Sequence, residues 1–302
     1  MTVSTGNIAK LLWPGLNAVW GRDYKEYPTE YTDLFSMESS DMNYEEEQEV
    51  TGLGLAPVKA EGAATQYDTF AQGTTARYTH TAFGLGFIIT REAIDDNKYE
   101  KAGLRNTRAL AFSMRQTKEN VAANVYNRAQ TSGYTGGDGV ILSSTSHPTL
   151  AGNQSNRLTT AADLSEASLE DLCIQIQAAT NSRGLRIALR PDTLIIPYNL
   201  EFEAMRILKS VQQSGTANND INAIYNNSAV PQGHRVNMFL TDTNSWFLLT
   251  DAPNGFKYYE REALETDVYT DFDTDNLKAK AIERYSFGCS NFRAGWGSQG
   301  AS

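Results

Sequence analysis

The chain has 302 residues, enough for one large domain or two moderate ones, and its formal net charge is -10. That charge argues against a dedicated nucleic-acid binder, because phosphate contact needs a net cationic surface. Two cysteines, Cys173 and Cys289, form neither a disulfide framework nor a CxxC pair, which fits a reducing cytosol. No signal peptide is legible, and no window approaches the roughly 18–20 apolar residues of a membrane span. We therefore expect a protein made in the cytoplasm, with no membrane partner.

Residues 1–50 open with a short amphipathic piece, Ile8, Leu11, Leu12, Trp13, Leu16, Val19 and Trp20, broken by Pro14. Trp13, Leu16 and Trp20 read equally as an anchor for another protein and as part of a local core. An acidic tract follows: Glu38, Asp41, Glu45, Glu46, Glu47 and Glu49 crowd together, with no lysine or arginine between Glu26 and Val58. From about Gly52 the text turns to glycine and β-formers. Phe83, Leu85, Phe87 and Ile89 alternate with Gly84, Gly86 and Ile88, the period of two that marks a strand. The stretch Thr65–Tyr78 is expected to pair back on it as the other half of a long hairpin.

Thr90 to Gln130 reads as one long helix. At 1.5 Å per residue, roughly 30 residues span about 45 Å, more than a small domain can wrap. Leu110, Met114, Val121 and Val125 form an apolar stripe, while Lys98, Lys101, Arg105, Arg108, Arg115, Lys118 and Arg128 face only Glu100 and Glu119. An acidic extension ahead of a basic rod allows pairing between copies. Such surface pairs contribute only about 0–1 kcal/mol each, so two solvated faces are the simpler reading and pairing would matter only in numbers.

Beyond a glycine-rich loop (Thr131–Gly139), Val140–Leu142 is expected as a short strand and Ser143–Asn156 as a loop carrying His147. An α/β unit then begins near Leu158. Ser165 is a good N-cap for a helix over Glu166–Ser182. A strand at Thr193–Ile196, a helix at Leu200–Val211 and strands at Val236–Leu240 and Trp246–Thr250 complete it. Strands return at Phe256–Arg261, Glu265–Thr270 and Leu277–Arg293, with DFDTDN as a turn.

Catalytic signatures are missing. His80, His147 and His234 lie far apart with no partners at ligand spacing, so neither a metal nor another cofactor is expected. The glycine cluster at 133–139 lacks the ending of a phosphate loop. Gly288-Cys289-Ser290 does not satisfy GxSxG. Asp271, Asp273 and Asp275 read as turn formers rather than a calcium loop. A hydrolase built on the α/β unit is the enzymatic rival, lacking base, nucleophile and metal; no enzyme is expected.

Three segments carry a resemblance: Tyr134–Pro148 (YTGGDGVILSSTSHP), Arg190–Leu208 (RPDTLIIPYNLEFEAMRIL) and Leu277–Ser298 (LKAKAIERYSFGCSNFRAGWGS). In this order they resemble the major capsid protein of tailed bacteriophages, in the Mu-like major head subunit group of the HK97-like fold. The resemblance implies an α+β chain in four parts. These are an N-terminal arm (1–50, with Trp13, Trp20, Glu45, Glu46 and Glu47 at subunit contacts) and an E-loop hairpin (51–90, with Tyr78, Phe83, Leu85 and Phe87). A peripheral domain with spine helix and sheet (91–155 and 254–302) and an inserted axial domain (156–253) complete them. It implies pentamers and hexamers closing an icosahedral virion shell in the host bacterial cytoplasm around double-stranded DNA held without sequence preference. Scaffold, portal and possible decoration proteins are the further partners, and the short upstream chain leads us to expect a separate scaffold, a leader already removed, or a numbering that starts at the mature end. The basic residues Lys101, Arg105, Arg108, Arg115 and Lys118 would divide between DNA-side charge and the acidic arm. An encapsulin-type compartment, which shares the fold, is the alternative.

Overall fold

The computed structural model describes residues 28–95, 99–213 and 220–301. Trp13 and Trp20 lie outside them, as does the side chain of Lys101. Described strands are β1 (Ser36–Ser39), β2 (Tyr44–Thr51), β3 (Ala71–Thr79), β4 (Thr81–Ile89), β5 (His147–Thr149), β6 (Gly152–Gln154), β7 (Pro191–Pro197), β8 (His234–Asn237), β9 (Trp246–Thr250), β10 (Phe256–Thr270), β11 (Leu277–Cys289) and β12 (Gly295–Ser298). Helices are α1 (Arg91–Asp95), α2 (Tyr99–Asn127), α3 (Glu166–Gln177), α4 (Glu201–Lys209) and α5 (Ala223–Asn226). No helix among the described residues is long and apolar enough to cross a membrane.

The chain divides into two compact units. Among the described residues the first holds 28–44 together with Thr79–Ala122 and Tyr258–Phe287. Its sheet runs β1-β10-β11-β4, with β11 antiparallel to β4 from Leu277↔Ile89 to Tyr285↔Thr81. From Leu277 to Tyr285 of β11 the burial alternates: Leu277, Ala279, Ala281, Glu283 and Tyr285 are buried, whereas Lys278, Lys280, Ile282 and Arg284 are not. Period-two patterning therefore builds one dry face, and Leu110, Ala111 and Met114 of α2 pack on it with Phe83 and Phe87. An aromatic cluster joins them, with Phe83 stacked on Tyr285 at 4.7 Å and Tyr258 set against Phe287 at 4.7 Å.

The second unit holds Glu45–Tyr78, Ala123–Lys257 and the chain from Gly288 onward. Its main sheet is ordered β12-β9-β7-β8, with β7 and β8 parallel and the β12–β9 and β9–β7 pairs antiparallel. The apolar run of β7 suits a strand covered on both sides: Leu194, Ile195 and Ile196 are all buried. Leu169, Leu172 and Ile176 of α3, Ala204 and Ile207 of α4, and Trp246 and Trp296 complete the core. Helix α3 starts where the sequence says it should. Ser165 accepts from Ser168 N, and Ser168 returns its hydroxyl to the Ser165 N–H, a reciprocal cap.

Four expectations are corrected. Thr65–Tyr78 does not pair with the strand at 83–89; β3 pairs with β2 across a long connection, and β4 pairs with β11. Val140–Leu142 is no strand, only an isolated bridge between Thr135 and Ile141. The strand expected to reach Arg293 stops at Cys289, and β12 then joins the α/β sheet beside β9. The apolar stripe of α2 is narrower than expected: Leu110 and Met114 are buried, but Val121 and Val125 are only half-buried.

Candidate functional site

In the first unit, α2 turns part of its expected basic face inward. Arg115 and Lys118 are buried. Lys118 Nζ lies 2.7 Å from Glu283 Oε2, with side-chain exposures of 6% and 1%, and sits over the Tyr285 ring at 5.0 Å. Arg115 Nε lies 3.7 Å from Glu119. The physical reason is the face of β11: its inward alternation includes Glu283, so the helix position opposite must supply a cation. Glu119 serves another purpose as well, accepting the N–H groups of Glu30 and Tyr31 at 3.1 Å each. Burial pushes its carboxyl up, opposed by those two N–H groups and by Arg115. Arg105 and Arg108 remain exposed.

Glu46, Glu47 and Glu49 of the acidic tract have partners within the second unit. On β2 the alternation turns Glu45, Glu47 and Glu49 inward and Glu46, Gln48 and Val50 outward. Glu47 pairs with Lys257, Glu49 Oε1 lies 3.2 Å from Arg293, and Glu46 stands 3.8 Å from Arg77. Within one chain, Glu46 and Glu47 thus have partners other than the basic rod. Arg293, 4% exposed, is the centre of the arrangement. Its guanidinium donates to Gln154 Oε1, to the Thr180 carbonyl and to Ser182 Oγ besides Glu49. Burial holds its proton less tightly than usual, and Glu49 opposes that. Glu47, Glu49 and Arg293 border a cleft of about 620 Å³ walled by β2, Asp251–Asn254 and the chain at Ser290, Asn291 and Arg293.

Of the residues expected to mark a projecting hairpin, Tyr78 is buried, its hydroxyl 2.5 Å from Ser290 Oγ and its ring against Gly288, where a Cβ would stand 2.7 Å away. Phe83 and Phe87 pack inward, and Leu85 is exposed on the sheet. The exposed segment is instead the connection 52–70, where Val58 and Tyr67 are 100% and 96% exposed. Its base is pinned. Thr51 Oγ1 donates to the Ala71 carbonyl at 2.8 Å, and Asp68 Oδ2 accepts from Gly54 N and lies 2.5 Å from Arg183. No hydrophobic period marks this segment, so pattern reading passes over it.

The Gly54 N–H and Arg183, joined by the Thr69 N–H, hold the Asp68 carboxyl down at about 2, from an ordinary 3.8. A depressed folded-state value means that the clamp is complete above about pH 4 and lost as pH falls through about 2. Hydrogen exchange of residues 52–70 is expected to accelerate over that window, and Asp68→Asn to abolish the dependence.

Sequence reading also missed a buried acid–histidine pair. His147 Nδ1 lies 2.5 Å from Asp138 Oδ2, Nε2 lies 3.1 Å from Asn156 Oδ1, and the ring stacks on Phe292 at 4.0 Å. Burial opposes ionisation of Asp138, but the hydrogen bonds from His147 and Val140 N outweigh it and keep the carboxyl low. Both ring nitrogens are thus engaged, and neither cysteine is an activated nucleophile. Burial pushes the Cys289 thiol up to about 12 and that of Cys173 to about 11. The glycine loop has a packing cause: a Cβ at Gly137 would stand 2.4 Å from the Thr75 carbonyl. Gly137→Ala is expected to destabilise by about 1–3 kcal/mol in denaturant titration. Among the described residues no group of three or more His, Cys, Asp or Glu could hold a metal ion.

A family model described as phage capsid protein matches residues 73–297. No curated protein matches the chain. Among solved structures, a virus-like particle from Pyrococcus furiosus superposes with a TM-score of 0.57 at 11% identity, over 94% of this chain and 98% of that one. The capsid of a native GTA particle gives 0.57 at 12% identity, over 91% and 92%. The capsid of the myovirus phage XM1 gives 0.53 at 12%, over 92% and 94%. The mixed α+β fold is shared almost end to end.

Proposed function

The chain belongs to the phage capsid protein family, and from that premise we propose that it is the repeating subunit of a closed icosahedral shell, built as pentamers and hexamers around double-stranded DNA. The observation that carries this reading is the likeness over more than nine-tenths of the chain to subunits of assembled particles. Its task is mechanical rather than catalytic, and its place is the virion capsid, assembled in the host bacterial cytoplasm with scaffold, portal and decoration proteins as partners. The Mu-like head subunit group is the subgroup we assign.

In this reading residues 1–50 act as arm, 51–90 as E-loop, 91–155 with 254–302 as peripheral domain and 156–253 as axial domain. Two observations lead us to draw these bounds slightly differently in the proposal. The exposed connection 52–70, rather than the strand at 83–89, is the part free to reach a neighbour. The last strand, β12, counts with the axial sheet. Many shallow contacts shared among several neighbours then add up to a stable container through multivalency.

Particles purified after expression with a scaffold and packaging machinery test the cargo. Nuclease treatment should leave a protected double-stranded DNA. Shells that hold folded protein and no DNA would move the chain to the encapsulin-type class.

A further inference from the structure

Helices α3 and α4 of the second unit each bury one side and leave the other open. Both pack on the same face of the sheet, the one that carries Leu194, Ile196, Trp246 and Leu248. Helix α3 touches β12 and α4 touches β8, the strands at the two ends of the order β12-β9-β7-β8. One helix therefore lies toward each edge of a single layer. Their inner sides supply Leu169, Leu172 and Ile176, and Ala204 and Ile207, to the core. The core needs nothing from their outer sides, yet large apolar groups stand there too.

On α3 the outer side holds Ala167, Asp171 and Ile174, at spacings of four and three, with Glu170 next to them. Ile174 is 64% exposed, and the helix carries Glu166, Glu170 and Asp171 but no lysine or arginine. On α4 the outer side holds Phe202, Met205, Arg206 and Lys209, which the same spacings set on one face. Phe202 is 72% exposed, and with Met205, Arg206 and Ser210 it borders an open hollow of about 550 Å³. The acids of α4, Glu201 and Glu203, occupy its first turn, where the helix dipole favours them, and the basic pair occupies its last. Among the described residues no salt bridge takes up Glu170, Asp171, Arg206 or Lys209. Arg206 Nε donates to the Phe202 carbonyl of its own helix at 3.3 Å, which uses one of its several donors.

Resting on the reading of this chain as a shell subunit, we propose that the Ile174 stripe of α3 in one copy docks into the Phe202–Met205 hollow of α4 in the next copy of the same ring. The two surfaces differ and complement each other, acidic and aliphatic on one side, basic with a ring and a thioether on the other. Because they lie toward opposite edges of one layer, each copy offers one surface to the neighbour on either hand. Head-to-tail contacts of this kind close into a ring when the rotation between copies permits. Ile174 and Phe202 supply the buried centre, while Glu170 and Asp171 set against Arg206 and Lys209 fix the register.

The test measures the critical concentration for assembly of the full chain by light scattering, with thermal melting of the dissociated subunit as control. The double variants Arg206→Glu/Lys209→Glu and Glu170→Lys/Asp171→Lys should melt like the parent. Each should raise the critical concentration by about tenfold or more. The chain that carries all four changes should assemble close to the parental concentration, since the charges are then exchanged across the contact. A second measurement is independent of charge. Ile174→Cys with Met205→Cys in one chain, oxidised after assembly, should give a ladder on a non-reducing gel that ends at five or six subunits, and the parent should give none. Double variants that assemble like the parent, a fourfold variant that recovers nothing, or a cysteine chain that gives no ladder or dimers alone each overturn this docking while leaving the shell reading intact. A parent chain that never assembles overturns the shell reading itself, and the docking with it.

Discussion

Lys118→Ala is expected to lower subunit stability by about 3–5 kcal/mol, because it leaves the Glu283 carboxylate buried without its cation. The site cannot simply fill with water: Tyr258 and Tyr285 stand over the ammonium at 5.7 and 5.0 Å, and Ala281 and Met114 are buried close by in sequence on the same packed faces. Replacing both partners with apolar groups, Lys118→Met with Glu283→Leu, should recover most of the loss or exceed the parent by about 1–4 kcal/mol. Urea titration of the dissociated subunit measures this. A single-variant loss below about 1 kcal/mol would show that the pair is solvated and that α2 does not sit on β11 as described.

The second large effect concerns Arg293. Its fork ties three other segments of its unit together, through Glu49 of β2, Gln154 of β6, and the Thr180 carbonyl and Ser182 of one loop. Hydrogen bonds to a charged group contribute about 1.5–3 kcal/mol each, and a deletion that strands buried acceptors reaches about 3–5 kcal/mol. Arg293→Ala should fall in that range and should also speed hydrogen exchange along residues 45–51, because Glu49 loses its anchor. Arg293→Lys keeps the charge but not the planar fork, so it should recover only part. Unchanged exchange in β2 would mean that Arg293 braces the α/β sheet alone.

What the sequence made legible follows from which patterns have a single physical solution. The alternation over 83–89, the strand at 193–196 and Ser165 ahead of an apolar helix each admit one reading, and each is found. Charged residues misled where they were counted as solvent-facing. Arg115 and Lys118 fall on the buried side of α2 at the spacing of Ala111 and Met114, and only the alternation of β11 through Glu283 hints at a partner. Strand pairing was the other gap. Phe83–Ile89 is plainly a strand, but period alone does not say that its neighbour is β11, some 190 residues on, and not the adjacent Thr65–Tyr78. The exposed segment 52–70 carries no period at all, so the reach of the chain had to be seen in three dimensions.

The most direct measurement is cryo-electron microscopy of particles formed by this chain, at a resolution that traces the subunit. The account predicts closed shells in which this chain is the lattice itself, repeated at every five- and sixfold position. A particle whose lattice is another protein, with this chain bound on it or absent, would contradict it.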